Sequence, residues 1–373
     1  MKFSILQSDL LDALQVMSGV VPSKSTTPVL ENVLFDLEGE ALKLTGTDLE
    51  VSITTTVSPR QTDAGGSLAL PAKVITEMMR SLPDIPVHFE SDENNRVVIT
   101  TEKGRYQISG IAKENYPEIP AMAEARSIDL ENKVLRRMLS KTIFAVSSEE
   151  LRPALMGVFI QMMADEFRMV ATDGHRLSKI LDKNFQYNES PVRMIVPPKA
   201  VQIALRNLDQ EGTTKLLIEE NGLSFVFDGT TLYTRLVDGE YPDYERVIPR
   251  DNDKKLIVNK SALIDSVKRV SLFSSALTHQ IRFSLSNGKL LICSEDVDIG
   301  GEGREELDVD YTEEDMEIGY NAHYILDIIK HIDTEQVLFQ LKSPVRATLV
   351  MPSDQKENES FIMLIMPIKL SGS

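Results

Sequence analysis

Residues 172–177, TDGHRL, place three side chains with acid, base or charge-binding chemistry next to one another. Asp173, His175 and Arg176 could transfer protons or bind a charged substrate. Residues 45–50, TGTDLE, carry the same Thr-Asp pair but no histidine or arginine, and no candidate nucleophile stands near TDGHRL in the sequence. The pattern therefore favours a turn with a binding role over a catalytic site.

Motifs for other chemistry are missing from the sequence. It contains no GxxxxGK[ST] phosphate loop, no GxSxG elbow and no HExxH motif, and its five histidines lack metal-ligand spacing. Residues 296–301, DVDIGG, begin like a calcium loop, but Leu307 replaces the required glutamate, so we interpret the segment as a strand with acidic flanks. We expect no catalytic residue, no cofactor and no metal.

Composition indicates a folded protein of more than one domain. The 373 residues are 42% hydrophobic, and a single cysteine, Cys293, excludes an intramolecular disulfide framework. Asp9 and Asp12 interrupt any signal-peptide core, and no apolar run reaches transmembrane length, so we expect a cytoplasmic protein without membrane contact. The net charge of -17 argues against nucleic-acid binding unless the basic residues are segregated.

An internal repeat organises the chain. The Thr-Asp pair at Thr47 recurs at Thr172, and the Tyr-Pro pair at Tyr116 recurs at Tyr241, both displaced by 125 residues. Pairs of alternating apolar runs around a short turn recur at 32–46, 157–171 and 281–295, and Asn287-Gly288 in the last is the strongest hairpin signal. We predict α+β domains, each of two helices packed on β-sheet, at residues 1–125, 126–252 and 253–370.

The predicted helices carry most of the segregated positive charge. Apolar spacing predicts them at 8–20, 72–82, 132–144, 198–208, 260–272 and 321–332. These windows hold twelve of the 40 basic residues but five of the 57 acidic ones. Glutamate favours helices as much as lysine does, so helix propensity does not explain the bias. The bias indicates a shared basic surface.

The segments TDGHRL, GEYPDYERVIP and LIMPIKL, together with the threefold repeat, closely resemble the bacterial DNA sliding clamp family, the β subunit of DNA polymerase III holoenzyme. The resemblance runs from Met1 to Leu370. It implies three similar clamp domains per chain, no active site, and two chains closed head to tail into a ring whose helices line the hole. It departs from a uniformly basic lining at the first helix, which has two aspartates and no basic residue.

Elementary geometry favours the same stoichiometry. A domain of this length has a diameter of roughly 36 Å. Three touching spheres of that size leave a gap of about 6 Å and six leave about 36 Å, while B-DNA is roughly 20 Å wide. One chain could not encircle a duplex, but two could.

The resemblance implies three sets of functional residues. The first is an apolar pocket for a short motif, broadly Gln-Leu-x-Leu-Phe, carried by the polymerase III catalytic subunit, the clamp loader, other polymerases and repair proteins. Its matching positions are Arg152, Leu155, Thr172, Gly174, His175, Arg176, Leu177, Pro242, Arg246, Val247, Val345, Leu364, Met366, Pro367 and Ile368. Aliphatic, methionine and proline side chains with a polar rim suit such a pocket.

The other two sets concern DNA and the second copy of the chain. Sequence-independent contacts with double-stranded DNA are expected from Lys24, Lys73, Arg80, Arg136, Arg137, Lys199, Arg206, Lys268 and Arg269. The homodimer interface is expected at Arg105, Tyr106, Gln107, Leu272, Phe273 and the strand after Gly303.

Two alternatives stay open from the sequence. One is a DNA-processing enzyme with its site at TDGHRL, and the other is a scaffold that never contacts nucleic acid. Loss of a detected activity on replacing His175 would favour the enzyme. Salt-sensitive retention on DNA would separate a clamp from a scaffold.

Overall fold

The computed structural model describes residues 1–120, 122, 125–296 and 300–370. Within these residues the α-helices are α1 Gln7–Val16, α2 Ala72–Ser81, α3 Asn132–Thr142, α4 Pro198–Asn207, α5 Lys260–Ser271 and α6 Ala322–Lys330. None of these helices is both long and apolar enough to cross a membrane. Residues 297–299, within the segment that resembles the start of a calcium loop, and residues 371–373 lie outside the described residues.

The strands occur in the same order in each repeat. The first repeat has β1 Lys2–Leu6, β2 Asn32–Glu38, β3 Ala41–Thr47, β4 Val51–Val57, β5 Gln61–Ala64, β6 Gly66–Pro71, β7 Pro86–Ser91, β8 Arg96–Thr100, β9 Arg105–Ser109 and β10 Ile111–Ala112. The second has β11 Arg126–Glu131, β12 Val158–Met163, β13 Glu166–Thr172, β14 Arg176–Asp182, β15 Val192–Val196, β16 Thr213–Ile218, β17 Gly222–Phe227 and β18 Thr230–Arg235.

The third repeat has β19 Lys254–Asn259, β20 Gln280–Ser286, β21 Lys289–Asp296, β22 Gly301–Asp308, β23 Met316–Asn321, β24 Gln336–Leu341, β25 Thr348–Pro352 and β26 Glu359–Ile365. Each repeat therefore reads strand, helix, four strands, helix, three strands, with β5 and β10 as short additions in the first. This confirms the predicted fold class of three repeats, each with two helices and β-sheet. The exact domain boundaries stay predictions.

By compactness the chain forms two units. Unit 1 comprises Met1–Arg136 and Lys199–Leu236, and unit 2 comprises Arg137–Pro198 and Val237–Ser373. The described strands of unit 1 form two antiparallel sheets, in the orders β5-β1-β7-β8-β9 and β10-β6-β2-β3-β4-β18-β17-β16-β11. Those of unit 2 form sheets in the orders β15-β12-β13-β14-β26-β25-β24-β19 and β22-β21-β20-β23.

Local sequence explains where these elements begin and end. Asn259 caps α5, because its side chain accepts a hydrogen bond from the Ala262 N–H at 3.0 Å. The hairpin of β20 and β21 turns at Asn287-Gly288, as predicted, with Gly288 at a φ of 75°. Helix α1 ends at Val16, four residues before its predicted end, and Gly19 beyond it adopts a φ of 92°. Val20 is fully buried, so its apolar character reflects packing beyond the helix.

Candidate functional site

The TDGHRL segment forms a tight turn between β13 and β14. Asp173 Oδ1 accepts the backbone N–H groups of His175 and Arg176, each at 2.9 Å. Thr172 Oγ1 donates to the Arg176 carbonyl at 2.6 Å and accepts the Gly174 N–H at 3.1 Å. The threonine and aspartate side chains therefore hold the turn that the sequence predicted here.

The C-terminal segment reaches this turn from the far end of the sequence. Strand β26 pairs with β14, so that Leu364 lies opposite Leu177. One residue beyond β26, the Met366 N–H donates to the His175 carbonyl at 2.8 Å. Two of the three segments that carried the resemblance therefore meet at one end of one sheet.

A buried apolar cluster lies under this meeting point. Its members are Leu155, Phe159, Val170, Leu177, Ile195, Tyr241, Tyr244, Ala347, Leu349 and Leu364. Leu177, Leu364 and Leu349 stand side by side on adjacent strands. The Tyr241 ring stacks on Phe159 with centroids 4.6 Å apart. We call this set the groove floor.

The third segment of the resemblance, around Tyr241-Pro242, is anchored over the floor. The Tyr244 hydroxyl donates to Gln161 Oε1 at 2.6 Å and accepts from Arg168 Nη1 at 2.8 Å. Burial raises the pKa of both Tyr241 and Tyr244, so both phenols stay neutral. Both rings supply apolar area, and the Tyr244 hydroxyl also supplies hydrogen bonds.

Several predicted pocket residues in or near these segments are exposed or half-buried, and we call them the rim. Val247 is 55% exposed, Val345 76% and Met366 39%, while Pro242 is also exposed and Pro367 and Ile368 are half-buried. Arg152 and Arg246 are paired with Glu149 and Asp243 on the surface. Exposed apolar side chains beside a buried apolar floor are what a peptide-binding groove needs.

Arg176 differs from the other predicted pocket residues. It is 9% exposed, and neighbouring strand residues point to opposite faces, so it lies on the face opposite to Leu177. Its guanidinium donates to Asp327 at 2.8 Å, to Asp173 at 3.1 Å and to the Phe144 carbonyl at 2.8 Å. The structure thus gives Arg176 the contacts of a residue that positions the turn.

The sequence-based site omitted residues that shape this region. Tyr241, Tyr244 and Phe159 belong to the floor, and the repeated Tyr-Pro pair was a signal for Tyr241. Tyr324, whose ring lies 4.7 Å from the Arg176 guanidinium, and Asp327 come from α6. No local pattern marks these two, because their role depends on the packing of α6 against a distant turn.

The basic residues predicted to contact DNA fall into two groups. Four have partners within their own unit: Arg136 donates to the Leu205 carbonyl at the end of α4, Arg137 pairs with Glu359 and Asp333, Lys199 with Asp48, and Arg269 with Glu305. Among the described residues, no ion-pair partner lies within 4.0 Å of Lys24, Lys73, Arg80, Arg206 or Lys268. All five are exposed.

The residues predicted to join two copies lie at sheet edges. Strand β9, which carries Arg105, Tyr106 and Gln107, ends the five-stranded sheet of unit 1, and Tyr106 is 44% exposed. Strand β22 ends the four-stranded sheet of unit 2. Leu272 and Phe273, directly after α5, are 75% and 39% exposed. Each unit therefore presents an unpaired strand edge with apolar side chains nearby.

Comparison with known proteins gives one consistent result. Models for the N-terminal, central and C-terminal domains of the DNA polymerase III beta subunit match residues 1–120, 129–243 and 245–369. No group of three or more side chains suited to hold a metal ion lies together in the described part of the chain.

Individual relatives match over nearly the full chain. The beta sliding clamp of Pseudomonas aeruginosa is 32% identical over 99% of this chain and 100% of its own length, and that of Streptococcus pneumoniae is 31% identical over 98% and 99%. A crystal structure of the Pseudomonas aeruginosa sliding clamp bound to griselimycin has a TM-score of 0.94 at 31% identity, covering 99% of this chain and 100% of that one.

Proposed function

The chain belongs to the DNA polymerase III beta subunit family, the sliding clamps, and from this premise we propose that two copies of it close head to tail into a ring around duplex DNA. A sliding clamp is a processivity factor and not an enzyme. Asp173 and Arg176 of TDGHRL therefore position the turn, and His175 is the member of the three that we place at the binding surface.

The observation that supports the ring is the strand pairing between successive repeats. The third strand of the four-strand run in the first repeat, β4, pairs with the last strand of the second repeat, β18. In the same way β14 of the second repeat pairs with β26 of the third. The corresponding edges left over are β22 and β9. If β22 of each copy pairs with β9 of the other, both edges of both copies are used and the ring closes with twofold symmetry.

The register of the existing joints supports a specific contact between the copies. If β22 and β9 pair in the same register, Tyr106 of one copy would lie opposite Gly303 of the other. A Cβ at Gly303 would lie 2.8 Å from the Phe273 ring, so Phe273 already covers that position. Tyr106 would then pack on Phe273 and Leu272. Their burial, at roughly 25 cal/mol per Å² of apolar area, would add to the backbone hydrogen bonds of the edge pairing.

Within the ring, DNA is held by topology and by weak phosphate contacts. Lys24, Lys73, Arg80, Arg206 and Lys268, the five exposed cations that have no ion-pair partner in the described part of the chain, supply charge without base preference. Arg137, Lys199 and Arg269 are partly neutralised by carboxylates, and Arg136 donates to the Leu205 carbonyl, so these four contribute less. Such contacts let the ring slide, and we place the protein in the cytoplasm with the DNA.

Retention on DNA tests this proposal. Rings loaded onto closed circular DNA should stay bound and should leave within minutes once the circle is cut, because cutting opens an end without changing any phosphate contact. Equal retention on cut and closed DNA would show binding by contact and not by encirclement. The Tyr106→Asp variant should sediment as a monomer and fail this assay, whereas Val74→Asp, another exposed apolar residue away from the edge, should sediment as the wild type does.

The groove of unit 2 supplies the function of tethering. We assign to it a short apolar motif of the polymerase III catalytic subunit, the clamp loader, other polymerases and repair proteins. One phenylalanine and one or two leucines seated on the floor gain on the order of 8 kcal/mol before the peptide is ordered. Ordering takes back several kcal/mol, so we expect micromolar affinity or weaker. Partners that share one groove can then exchange.

A further inference from the structure

In each repeat, the segment after the last long strand pairs with the last strand of the four-strand run, at the edge of the sheet. In the first repeat, Ile111 of β10 pairs with Ala69, which pairs with Leu34. Tyr116 then clusters with Leu34 and Ala69, and its hydroxyl donates to the Thr45 carbonyl at 3.0 Å. Ile111, Ala69 and Leu34 thus form a row across adjacent strands, and the tyrosine of the first Tyr-Pro pair packs over that row.

The second repeat is closed in the same way. The Val237 N–H donates to the Ile195 carbonyl at 2.9 Å, and Ile195 pairs with Phe159. Tyr241 stacks on Phe159, with an angle of 4° between the rings, and is 7% exposed. A tyrosine followed by proline again covers the row.

The third repeat has an equivalent row of residues, but no Tyr-Pro pair packs over it within the described residues. The Ile368 N–H donates to the Gly319 carbonyl at 2.8 Å, and Gly319 pairs with Arg282. Arg282 therefore stands where the other repeats have Leu34 and Phe159. Leu370 lies over Gly319, since a Cβ there would be 2.9 Å from its Cδ2.

Two cavities remain beside this incomplete cover. They measure 290 and 720 Å³, and Arg282 and Leu370 line both. The larger is within the range of about 300 to 1,000 Å³ that ligand sites occupy. None of the described residues that line either cavity is aromatic. Within the described residues, which reach Leu370 here, no aromatic side chain takes the place that a tyrosine has in the other two repeats.

We propose that this site binds a tyrosine followed by proline on a partner protein, with the ring stacked on the Arg282 guanidinium. The Arg282 side chain is 44% exposed, and its ion pair with Glu317 is long, at 3.9 Å, which leaves a guanidinium face free to stack on a ring. Gln280 and Ser294 line the smaller cavity and offer hydrogen bonds to a phenol.

The charge of the lining is nearly balanced. The larger cavity is lined by the basic residues Lys254, Arg282, Lys342 and Lys369 and by the acidic residues Glu314, Asp315 and Glu317, and the smaller by Arg282 with Glu295 and Glu302. The tyrosine ring and the proline, and not the acidic residues beside the chain's own Tyr-Pro pairs, therefore decide the occupant. The larger cavity shares Val345 and Ile368 with the rim of the groove, but no residue of the groove floor lines either cavity.

A fluorescent peptide with the sequence IAKENYPEIP, residues 111–120 of this chain, is the probe. Fluorescence anisotropy should show saturable binding to the full chain below about 1 mM, and replacing the tyrosine by alanine should abolish it. Arg282→Ala should weaken binding at least threefold, which is the lower part of the range expected for a cation–π contact. Arg193→Ala, an exposed arginine on β15, is the matched control and should bind as the wild type does.

A second variant guards against misfolding of the first. Thr278→Trp changes an exposed loop residue at the smaller cavity and should block the site without lowering the Tm. Unchanged affinity in both Arg282→Ala and Thr278→Trp would overturn the proposal. So would equal binding of the peptide without tyrosine, or no binding by the wild-type chain.

Discussion

Units 1 and 2 contain the same turn in the same hydrogen-bonded setting. Asp48 Oδ1 accepts two backbone N–H groups, at 3.0 and 2.7 Å, just as Asp173 does in unit 2. A later segment binds each turn: the Arg235 N–H donates to the Glu50 carbonyl at 3.0 Å, as Met366 does to His175. The backbone that supports the groove is therefore present twice.

The side chains on that backbone differ. Where unit 2 pairs Leu177 with Leu364, unit 1 pairs Ser52 with Tyr233. The Ser52 hydroxyl lies 2.8 Å from that of Thr47, so this position is buried but polar. The difference teaches that the repeat supplies a scaffold, and that a few apolar side chains turn one copy of it into a binding groove.

The strongest test removes the segment that makes unit 2 different. Deleting residues 366–373 takes away Met366, Pro367 and Ile368, and should abolish binding of a Gln-Leu-x-Leu-Phe peptide measured by calorimetry. Sedimentation should still show the dimer, because β9 and β22 are intact. Unchanged peptide affinity would place the site elsewhere.

The next test makes the floor of unit 2 resemble unit 1. Leu177→Ser should lower the free energy of unfolding by about 2 to 5 kcal/mol, because Leu177 is 2% exposed and its removal leaves a cavity and a polar group. It should also weaken the peptide at least tenfold. Leu181→Ser, on the same strand and 8% exposed, is the control for stability without groove contact. Equal loss of affinity in both variants would contradict a local effect.

A reciprocal exchange at the turn should have a smaller effect. Gly174 and Leu49 occupy equivalent positions with φ of 88° and 81°, a region that costs a leucine about 1 kcal/mol. Leu49→Gly should therefore raise the stability to urea slightly and Gly174→Leu should lower it. A Cβ at Gly174 would also lie 3.1 Å from Arg152, so the rim should shift in that variant. If Leu49→Gly lowered the stability or Gly174→Leu raised it, the two turns would not be equivalent.

The smallest expected effect is a pH dependence in unit 2. Burial lowers the pKa of His331, whose ring stacks on Phe144 at 4.0 Å. The unfolded chain therefore binds this proton more readily, so the stability that His331 contributes is complete above its ordinary pKa of 6.5 and is lost as pH falls below it. Urea unfolding between pH 7.5 and 5.5 should show this loss, and His331→Phe should reduce it. An identical slope in the variant would assign the dependence to other groups.

Much of this protein follows from the sequence because the signals are local. Alternation of apolar residues placed the strands, apolar spacing over 260–272 placed the helix that the structure shows at Lys260–Ser271, and Asn287-Gly288 placed a hairpin. The Thr-Asp and Tyr-Pro pairs marked the repeat and with it the family. Each of these signals depends on a few neighbouring residues, whose backbone preferences are fixed by their own chemistry.

The tertiary structure decided what depends on partners far away in the chain. The bond from Met366 to His175 joins segments 191 residues apart, and no local preference encodes it. The buried pairing of Arg176 with Asp327 required α6 to lie against the turn. The same holds for the four basic residues that pair within their own unit. Sequence gives the charge of a side chain, but its partner depends on the register of strands and the packing of helices that bring distant residues together.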